Sequence, residues 1–392
     1  MKLGVLLSAV LGYALSTGST VGLATSILAP AVFLRQRSRA HTSACAAVYY
    51  LAALRDLPIV SRNFFGPTAG LLEGIPLWII VAGLLSLPWL WAWSPSRVSL
   101  FWRCPIALLS SVLPPLGIIG LASPMAAAGF LFPGTGCAGF VLTLFLPALL
   151  INSAEPASFA WVSLVLLCHL LTAPQPPPPG DWAAINTTFG PVGHGDADLI
   201  REYQVAKRIE TEAWRAHARV VIFPEAVAPD WIDAVVPSGK IILVGAVEPI
   251  KPQNDLQAEL FALTGSLSAA VPARSSNYRN ELLVRGTQIG EFAQRVPIPI
   301  GMWKPFTGTG VPLNLTGPGT LSIDGHRAAI IICYEQLIAW PVLASFFEHP
   351  SMIVAVSNNV WVSGTAIPRL ERKTMESWAS LFSMPLLSAS NT

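Results

Sequence analysis

The chain has 392 residues, 53% of them apolar and 12% charged, with a formal net charge of +2. Soluble globular proteins carry about 25% charged residues, so the composition argues against a wholly water-soluble protein, while the length allows two or three domains. Eight of the 24 basic and three of the 22 acidic residues precede Asp181, which leaves 16 and 19 to the second half, and a mildly acidic half lacks the concentrated basic face of a duplex binder, so no direct contact with nucleic acid is expected.

Leu3 to Leu34 contains no charged residue. That is longer than the roughly 20 residues of one span and short for two, so Gly18, Ser19 and Thr20 are expected to turn between marginal passes at 3 to 17 and 21 to 34. Further apolar stretches at 43 to 54, 70 to 93, 104 to 121, 136 to 152 and 158 to 172 bring the expectation to seven passes, in a transmembrane domain over residues 1 to 173. Pro114 and Pro115 would break or kink the fifth. Basic loops stay on the cytoplasmic side. With seven passes the Arg-bearing loops 35 to 39 and 97 to 103 share that side with Lys2, and the polar half emerges on the outer face. A six-pass count, without 43 to 54, would put the two loops on opposite sides. Lys2 is a thin basic region for a cleavable signal peptide, and the later spans hold the chain in the membrane in either case.

Residues 174 to 180, Pro-Gln-Pro-Pro-Pro-Pro-Gly, form a stiff extended linker, and residues 181 to 392 read as a domain of their own. Strands are expected over Trp182 to Phe189, Arg219 to Pro224, Lys240 to Val247, Arg327 to Cys333, Met352 to Ser357 and Leu386 to Ala389. Asn277 to Arg285 and Gln288 to Arg295 suggest a hairpin around Gly286. Helices are expected over Ala197 to Ala218, 336 to 348 and 366 to 383. Strands alternating with helices, several of the strands continuously apolar, indicate an α/β domain whose sheet is covered.

Two of the apolar strands end in reactive groups. Phe223-Pro224-Glu225 closes one, and Ile331-Ile332-Cys333-Tyr334-Glu335 closes another. A thiol attacks as the thiolate and needs a partner to take its proton, which a glutamate at a strand end can do. The other cysteines, Cys45, Cys104, Cys137 and Cys168, lie in the apolar half, where cysteine behaves as a small hydrophobe. Cys333 therefore has no soluble disulfide partner, and its alternative reading is a buried inert thiol. In an acyl-transfer site the peptide N–H after Cys333 would help form an oxyanion hole, and the start of the following helix would favour thiolate. The six histidines, His41, His169, His194, His217, His326 and His349, include no pair at ligand spacing, so no metal and no cofactor are expected. The glycines around Gly308 and Gly310 lack the pattern of a nucleotide loop and suggest a lid near Trp303. The apolar segments carry no charge pair of the kind that marks a transporter.

The order of these features resembles the nitrilase (carbon-nitrogen hydrolase) superfamily: a glutamate after Val-Ile-Phe-Pro, a basic residue before a Pro-rich loop, then Cys-Tyr-Glu, all behind a multi-pass membrane half. Among its members the chain looks most like apolipoprotein N-acyltransferase. Arg295-Val296-Pro297-Ile298-Pro299 with Met302-Trp303, Ser357-Asn358-Asn359-Val360-Trp361 and Trp378-Ala379-Ser380-Leu381-Phe382 are similar to the TraB family of conjugative plasmids. The resemblance implies a four-layer αββα sandwich and a Glu, Lys, Cys triad, with Glu225 as general base and Cys333 as nucleophile. Glu335 resembles the supporting carboxylate, orienting the base or a substrate amine; as plain chemistry it is equally a charge at a helix N-terminus. The family lysine falls on Arg295 or Gln294. Arg295 keeps the positive charge but presents a planar fork in place of a point-like ammonium, and Lys304 is the nearest lysine. Asn358, Asn359 and Trp361 would line the pocket, Trp361 equally as a packing residue. The resemblance further implies a bacterial inner membrane with the soluble domain in the periplasm, a membrane lipid as acyl donor, and contacts with conjugation-machinery proteins. Two functions remain open: acyl transfer or amide hydrolysis through a thioester, and a catalytically inactive membrane scaffold of the same fold.

Overall fold

A computed structural model describes residues 2–66, 69–152, 155–190, 196–250, 277–305, 307 and 309–392. The helices are α1 (Lys2–Ser16), α2 (Thr20–Ser26), α3 (Ala29–Leu34), α4 (Arg39–Ala53), α5 (Leu57–Phe65), α6 (Ala69–Ala92), α7 (Arg97–Val112), α8 (Ala128–Leu131), α9 (Cys137–Asn152), α10 (Glu155–Leu171), α11 (Asp196–Arg215), α12 (Ala339–Phe346) and α13 (Ile367–Leu381). The strands are β1 (Trp182–Ala184), β2 (Val220–Ile222), β3 (Ile241–Pro249), β4 (Tyr278–Gly286), β5 (Gly290–Ala293), β6 (Trp303–Lys304), β7 (Thr309–Gly310), β8 (Thr320–Ile323), β9 (His326–Ile332), β10 (Met352–Asn358) and β11 (Leu386–Asn391). By compactness the chain divides into two units, each discontinuous in sequence: residues 1–177, 336–344 and 361–386 form one, and residues 178–335, 345–360 and 387–392 the other.

The first unit is helical, and its breaks fall where backbone chemistry dictates. Gly18 takes a left-handed φ of +63°, and the hydroxyl of Ser19 caps α2 by accepting from the Gly22 N–H at 3.1 Å. The second expected pass is not continuous, because α2 stops at Ser26 and α3 restarts at Ala29 with Pro30 in its first turn. The fifth is cut short as well: α7 ends at Val112, ahead of Pro114 and Pro115, and only a 3₁₀ turn over Leu116–Ile118 follows. Arg97 and Arg103, expected in a loop, lie inside α7, whose N-terminus is capped by Ser96.

These breaks leave several of the expected passes shorter than a full span. A 15-residue helix such as α1 rises about 23 Å, short of a hydrocarbon core of about 30 Å. Among the described residues one helix, Leu72–Ala92 within α6, is long and apolar enough to cross a membrane, and α4 with α5 would add a second span bent by 48°. Lys2–Ser16, Thr20–Leu34, Cys137–Asn152 and Trp161–Leu171 are apolar but shorter. Hydropathy registers an apolar run and is blind to the proline or glycine that divides it.

Within this unit Phe33, Tyr49, Tyr50 and Trp89 are fully buried, with Phe33 edge-on to Tyr49 at 5.5 Å and to Trp89 at 5.3 Å. The indole N–H of Trp89 donates to the Tyr50 hydroxyl at 3.1 Å, so the polar atoms of this apolar centre are paired. Helix α13 belongs here too. The Asp56 carboxylate accepts from the Ala366 N–H at its start. Further along, Ser377 donates to the Ala126 carbonyl, the Gly129 N–H donates to Ser377, and Ser380 donates to the Gly129 carbonyl.

The second unit holds two sheets. The first has the order β1-β2-β3-β4-β5, parallel from β1 to β3 and antiparallel from β3 to β5; the second has the order β11-β10-β9-β8, and β6 pairs with β7 in a separate ribbon. One face of the first sheet, with Val221, Phe223, Ile242 and Val244, is covered by Ile209 and Ala213 of α11. Its other face packs on the second sheet: Val220, Ile222, Ile241, Leu243, Leu282, Val284 and Phe292 meet Ile323, Ile330, Ile332, Val354, Val356, Leu387 and Ala389. The domain is therefore mixed α/β, with a core layer between two sheets. Strand β8, absent from the sequence reading, forms an antiparallel hairpin with β9 through Asp324 and Gly325.

Gly129 tests the seam between α8 and α13, since a Cβ there would stand 1.7 Å from the Ser377 carbonyl oxygen, whereas one on Gly83 of α6 would meet nothing within 4 Å. Gly129→Ala is expected to destabilise the purified chain in detergent by about 1–3 kcal/mol. Gly83→Ala is expected to be neutral or to gain up to about 1 kcal/mol of helix propensity. Thermal unfolding that ranks the two the other way would show the seam to be misplaced.

Candidate functional site

Side chains on a strand alternate between faces, so the inward positions of the inter-sheet layer can be followed to the ends of their strands. On β4, Leu282 and Val284 point into the layer, and the same face continues through Asn280 to Tyr278. On β5 the inward Phe292 is followed by Gln294. On β10 the series Met352, Val354, Val356 ends in Asn358, and on β11 the series Leu387, Ala389 ends in Asn391. The apolar layer thus gives way to a cluster of amide side chains, with Asn280, Gln294, Asn358 and Asn391 all buried.

Glu225 enters this cluster from the end of β2. It is 5% exposed. Asn280 Nδ2 donates to its Oε1 at 2.5 Å, and the backbone N–H of Asn358 donates to its Oε2 at 2.8 Å. The thiol of Cys333 donates to the same carboxylate. A glycine makes room for the approach: Gly245 continues the inward face of Ile241 and Leu243, and a Cβ on it would stand 2.3 Å from the Glu225 Cα. The residue after Glu225, Ala226, turns at φ +52°, and the N–H groups of Val227 and Ala228 both donate to the Gly245 carbonyl at 2.9 Å.

Cys333 has the same unusual backbone, φ +52°. Ile330 and Ile332 face inward, so a regular strand would turn Cys333 outward. The left-handed residue instead brings Cys333 against the inter-sheet cluster. Such a conformation costs a non-glycine residue on the order of 1–3 kcal/mol and persists where the surroundings enforce it.

Burial raises the carboxyl of Glu225 above the ordinary glutamate range; the hydrogen bonds from Cys333, Asn280 and Asn358 pull it back down, and the negative charge of Glu335 pushes it up. Tyr278, at the mouth-side end of the same inward face, is raised by burial and by the charge of Glu225. The arrangement is a thiol hydrogen-bonded to a buried carboxyl whose pKa is raised by burial, a pairing across which a proton can pass.

The remaining expected residues fall in different places. Glu335 is fully buried; its Oε1 accepts from the N–H groups of Arg295 and Val296 at 2.7 and 2.9 Å, and its Oε2 from that of Ile332 at 3.1 Å. It binds the segment after β5 to the end of β9. The Arg295 guanidinium lies over the Phe292 ring, with Nη2 3.4 Å from the Ile330 carbonyl and Nε 3.8 Å from Glu335. The hydrogen bonds of Glu225 come from other residues. Gln294 makes the link instead: its Oε1 accepts from Asn280 Nδ2 at 2.9 Å, and its Nε2 donates to the Ile332 carbonyl at 3.1 Å.

Trp303 and Lys304 form β6, paired with Thr309 and Gly310 in a ribbon that touches the start of β4 through a bridge between Gly310 and Asn277. Gly308, part of the expected lid, lies outside the described residues. Asn359 is buried beside Asn358. Trp361 belongs to the first unit, where its ring is 5.8 Å from Phe64 and its carbonyl accepts from Asn63. Tyr278, Asn280 and Asn391 had no place in the sequence reading. Their signal is a polar residue at an inward position of an otherwise apolar strand.

No family model matches the sequence. The conjugal transfer protein TraB of Agrobacterium fabrum is 30% identical over 404 aligned positions, covering 99% of this chain and 92% of that protein. A probable conjugal transfer protein TraB of Sinorhizobium fredii is 28% identical, over 96% of this chain and 94% of that one. Solved structures with a related course include a glutamine-dependent NAD+ synthetase of Acinetobacter baumannii, at 13% identity and a TM-score of 0.37, covering 53% of this chain and 38% of the synthetase. A nitrilase-superfamily amidase of Nesterenkonia AN1 aligns at 13% identity and a TM-score of 0.32, over 55% and 78%. A carbon-nitrogen hydrolase of Helicobacter pylori aligns at 10% and 0.34, over 53% and 72%.

A carboxyl whose pKa is raised by folding keeps its proton in the native state at a pH where the unfolded chain has lost it. The contribution of Glu225 to stability is therefore fully present below its ordinary pKa and declines as pH rises through the folded value. Denaturation midpoints of the wild type and Glu225→Gln are expected to lie closest near pH 4, with the wild type losing ground to the variant as pH rises. A gap that widens toward acid would mean that the carboxylate, not the acid, is the form the fold prefers.

Proposed function

The chain belongs to the family of conjugal transfer protein TraB, and from that premise we propose that it is a membrane-bound protein of plasmid transfer that breaks an amide or ester through a thioester on Cys333. The observation that carries this reading is the hydrogen bond from the Cys333 thiol to the buried Glu225, with Cys333 held in a left-handed turn at a strand end. Glu225 takes the thiol proton and the sulfur attacks the carbonyl carbon of an acyl donor. The bond from that carbon to nitrogen or oxygen then breaks, Glu225 gives its proton to the departing atom, and the acyl group stays on Cys333. Water or an amine attacks the thioester carbon, loses a proton to Glu225, and the proton returns to the sulfur as the carbon–sulfur bond breaks.

Residues 1–173 are read as a multi-pass domain of the bacterial inner membrane, residues 174–180 as a linker, and residues 181–392 as a nitrilase-like αββα domain on the periplasmic side. The apolar composition and the length of Leu72–Ala92 support the membrane assignment. Two facing sheets with α11 outside the first support the layered fold. A membrane lipid fits the place of acyl donor, and proteins of the conjugation machinery are the partners the family points to. A second reading, a scaffold without turnover, draws on a specific observation: the hydrogen bond and ion pair of Arg295 go to Ile330 and Glu335, and loss of one oxyanion donor costs about 2.7–4 kcal/mol in other acyl-transfer sites.

The two readings part on a pair of substitutions. Cys333→Ala and Glu225→Gln are expected to lower plasmid transfer to the level of a deletion, with Glu225→Gln slowing acylation about 10²–10⁴-fold. Mass spectrometry of the wild type in native lipid is expected to find a hydroxylamine-labile adduct on Cys333. Full transfer by both variants, alongside failure of the deletion, would establish the scaffold.

A further inference from the structure

The basic residues of the apolar half gather at one end of the first unit. The indole N–H of Trp93, just past α6, donates to the Gln36 carbonyl at 2.8 Å, and Arg35 Nη2 donates to the Leu150 carbonyl in the last turn of α9 at 2.6 Å. Gly4 of α1 packs against the Gln36 side chain so closely that a Cβ would overlap it. The start of α1, the α3–α4 turn, the α6–α7 turn and the end of α9 therefore meet, and with them Lys2, Arg35, Arg37, Arg39, Arg97 and Arg103. The other two basic residues before Asp181, Arg55 and Arg62, lie at the opposite end. There Arg55 pairs with Asp56 and covers the Tyr13 ring at 4.4 Å, and Gly70, in the first turn of α6, touches the backbone of Arg62. The 24 residues of α6 hold the two ends about 36 Å apart.

Carboxylates do not balance this cluster. Of the three acidic residues before Asp181, Asp56 and Glu73 belong to the opposite end, and Glu155, three residues past α9, is the one close to the cluster in sequence. Arg37, Arg39 and Arg97 are exposed, and among the described residues their side chains make no hydrogen bond or ion pair. Arg55 and Arg372 of the same unit, by contrast, each pair with a carboxylate. Large aromatic side chains accompany the free cations. Trp91 is 51% and Trp102 59% exposed; the Arg103 guanidinium stands 5.5 Å from the Trp91 ring, and Trp102 is edge-on to Phe145 at 6.2 Å. Exposed indoles beside guanidinium groups fit the boundary between acyl chains and headgroups, where the amphipathic ring settles and the planar cation meets phosphate.

We propose that this rim is a docking surface for the phosphate groups of anionic lipids, with Arg37, Arg39 and Arg97 on the phosphates and Trp91 and Trp102 at headgroup level. Basic segments stay on the cytoplasmic side, so the rim assigns this end to the cytoplasmic leaflet; residues 35–39 and 97–103 share that side by direct contact, whatever the number of passes. The inference rests on the reading of residues 1–173 as a membrane domain. The full chain, delipidated in detergent, is titrated with dioctanoyl phosphatidylglycerol, dioctanoyl phosphatidylcholine or inorganic phosphate, and bound ligand is counted by native mass spectrometry. The wild type is expected to prefer the anionic lipid by about tenfold or more, less so as salt is raised. The combined substitutions Arg37→Gln, Arg39→Gln and Arg97→Gln should cost about a hundredfold in affinity for phosphatidylglycerol and leave phosphatidylcholine unaffected. Lys207→Gln, Arg208→Gln and Arg215→Gln on α11 remove the same charge elsewhere and should change neither. Equal losses in the two triple variants, no preference in the wild type, or displacement of the lipid by inorganic phosphate at equal concentration would overturn the proposal. Vesicles separate the two failures: a chain that enters phosphatidylcholine and phosphatidylglycerol bilayers yet shows no headgroup preference sinks this inference alone, and one that enters neither sinks the membrane reading with it.

Discussion

A carboxyl group removed from water into the space between two sheets must be met by donors or have its pKa raised. For Glu225 donors meet it, and burial still raises its pKa. The donors come from three chain segments far apart in sequence: a side chain of β4, the backbone at the end of β10, and the thiol after β9. The first sheet supplies the acid and Asn280, and the second supplies Asn358 and Cys333. The site is therefore also a joint, and a shift of one sheet on the other by a single residue would separate the groups that chemistry needs together.

Two buried glutamates lie within this unit, and their surroundings give them different parts. Glu335 accepts three backbone N–H groups, a set that satisfies a charge while offering nothing that can be transferred. Glu225 has one backbone donor, one amide and one thiol, and of these only the thiol can give up its proton in ordinary chemistry. The assignment of roles follows from the donors, not from the residue type. Removing Glu335 would free the N–H groups of Arg295, Val296 and Ile332 inside the protein, so its value lies in holding two strand ends in register.

The positions of most strands and the two glutamates at strand ends could be read from apolar runs because a covered sheet requires continuously apolar strands. Other features were hidden for physical reasons. Strand β8 has two apolar residues, Leu321 and Ile323, although Asp324-Gly325, both at positive φ, is the pattern of a tight hairpin. The choice between Gln294 and Arg295 depended on parity: once Phe292 is known to face inward, Gln294 must as well, and a sequence without its register does not reveal which of two adjacent residues enters the site. The helix breaks in the first unit were hidden for the opposite reason. Apolar composition persists across Ile27–Leu28 and across Pro114–Pro115, while the helical hydrogen bonds do not. Nor does any local pattern announce that α13, which follows the last strand of the core but one, is stitched through Ser377 and Ser380 to Ala126 and Gly129.

The two left-handed residues show why the site needs both strain and a missing side chain. Cys333 could relax into an extended conformation only by turning its sulfur out of the layer, away from Glu225. A glycine would take the same φ at no cost, but it would carry no sulfur. Ala226 performs the matching turn on the acid side, and there the space comes from Gly245, whose absent Cβ lets the backbone of Glu225 descend between the sheets. Strain of this kind survives because many bonds oppose its release: Val227 and Ala228 are tied to the Gly245 carbonyl, and the Ile332 peptide is held by Gln294 on one side and Glu335 on the other. A fold that had no use for the encounter of thiol and acid would be more stable with a glycine at position 333 and a neutral residue at position 225. That a costly arrangement is so heavily buttressed is the strongest physical argument that the meeting of these two side chains serves a purpose beyond packing.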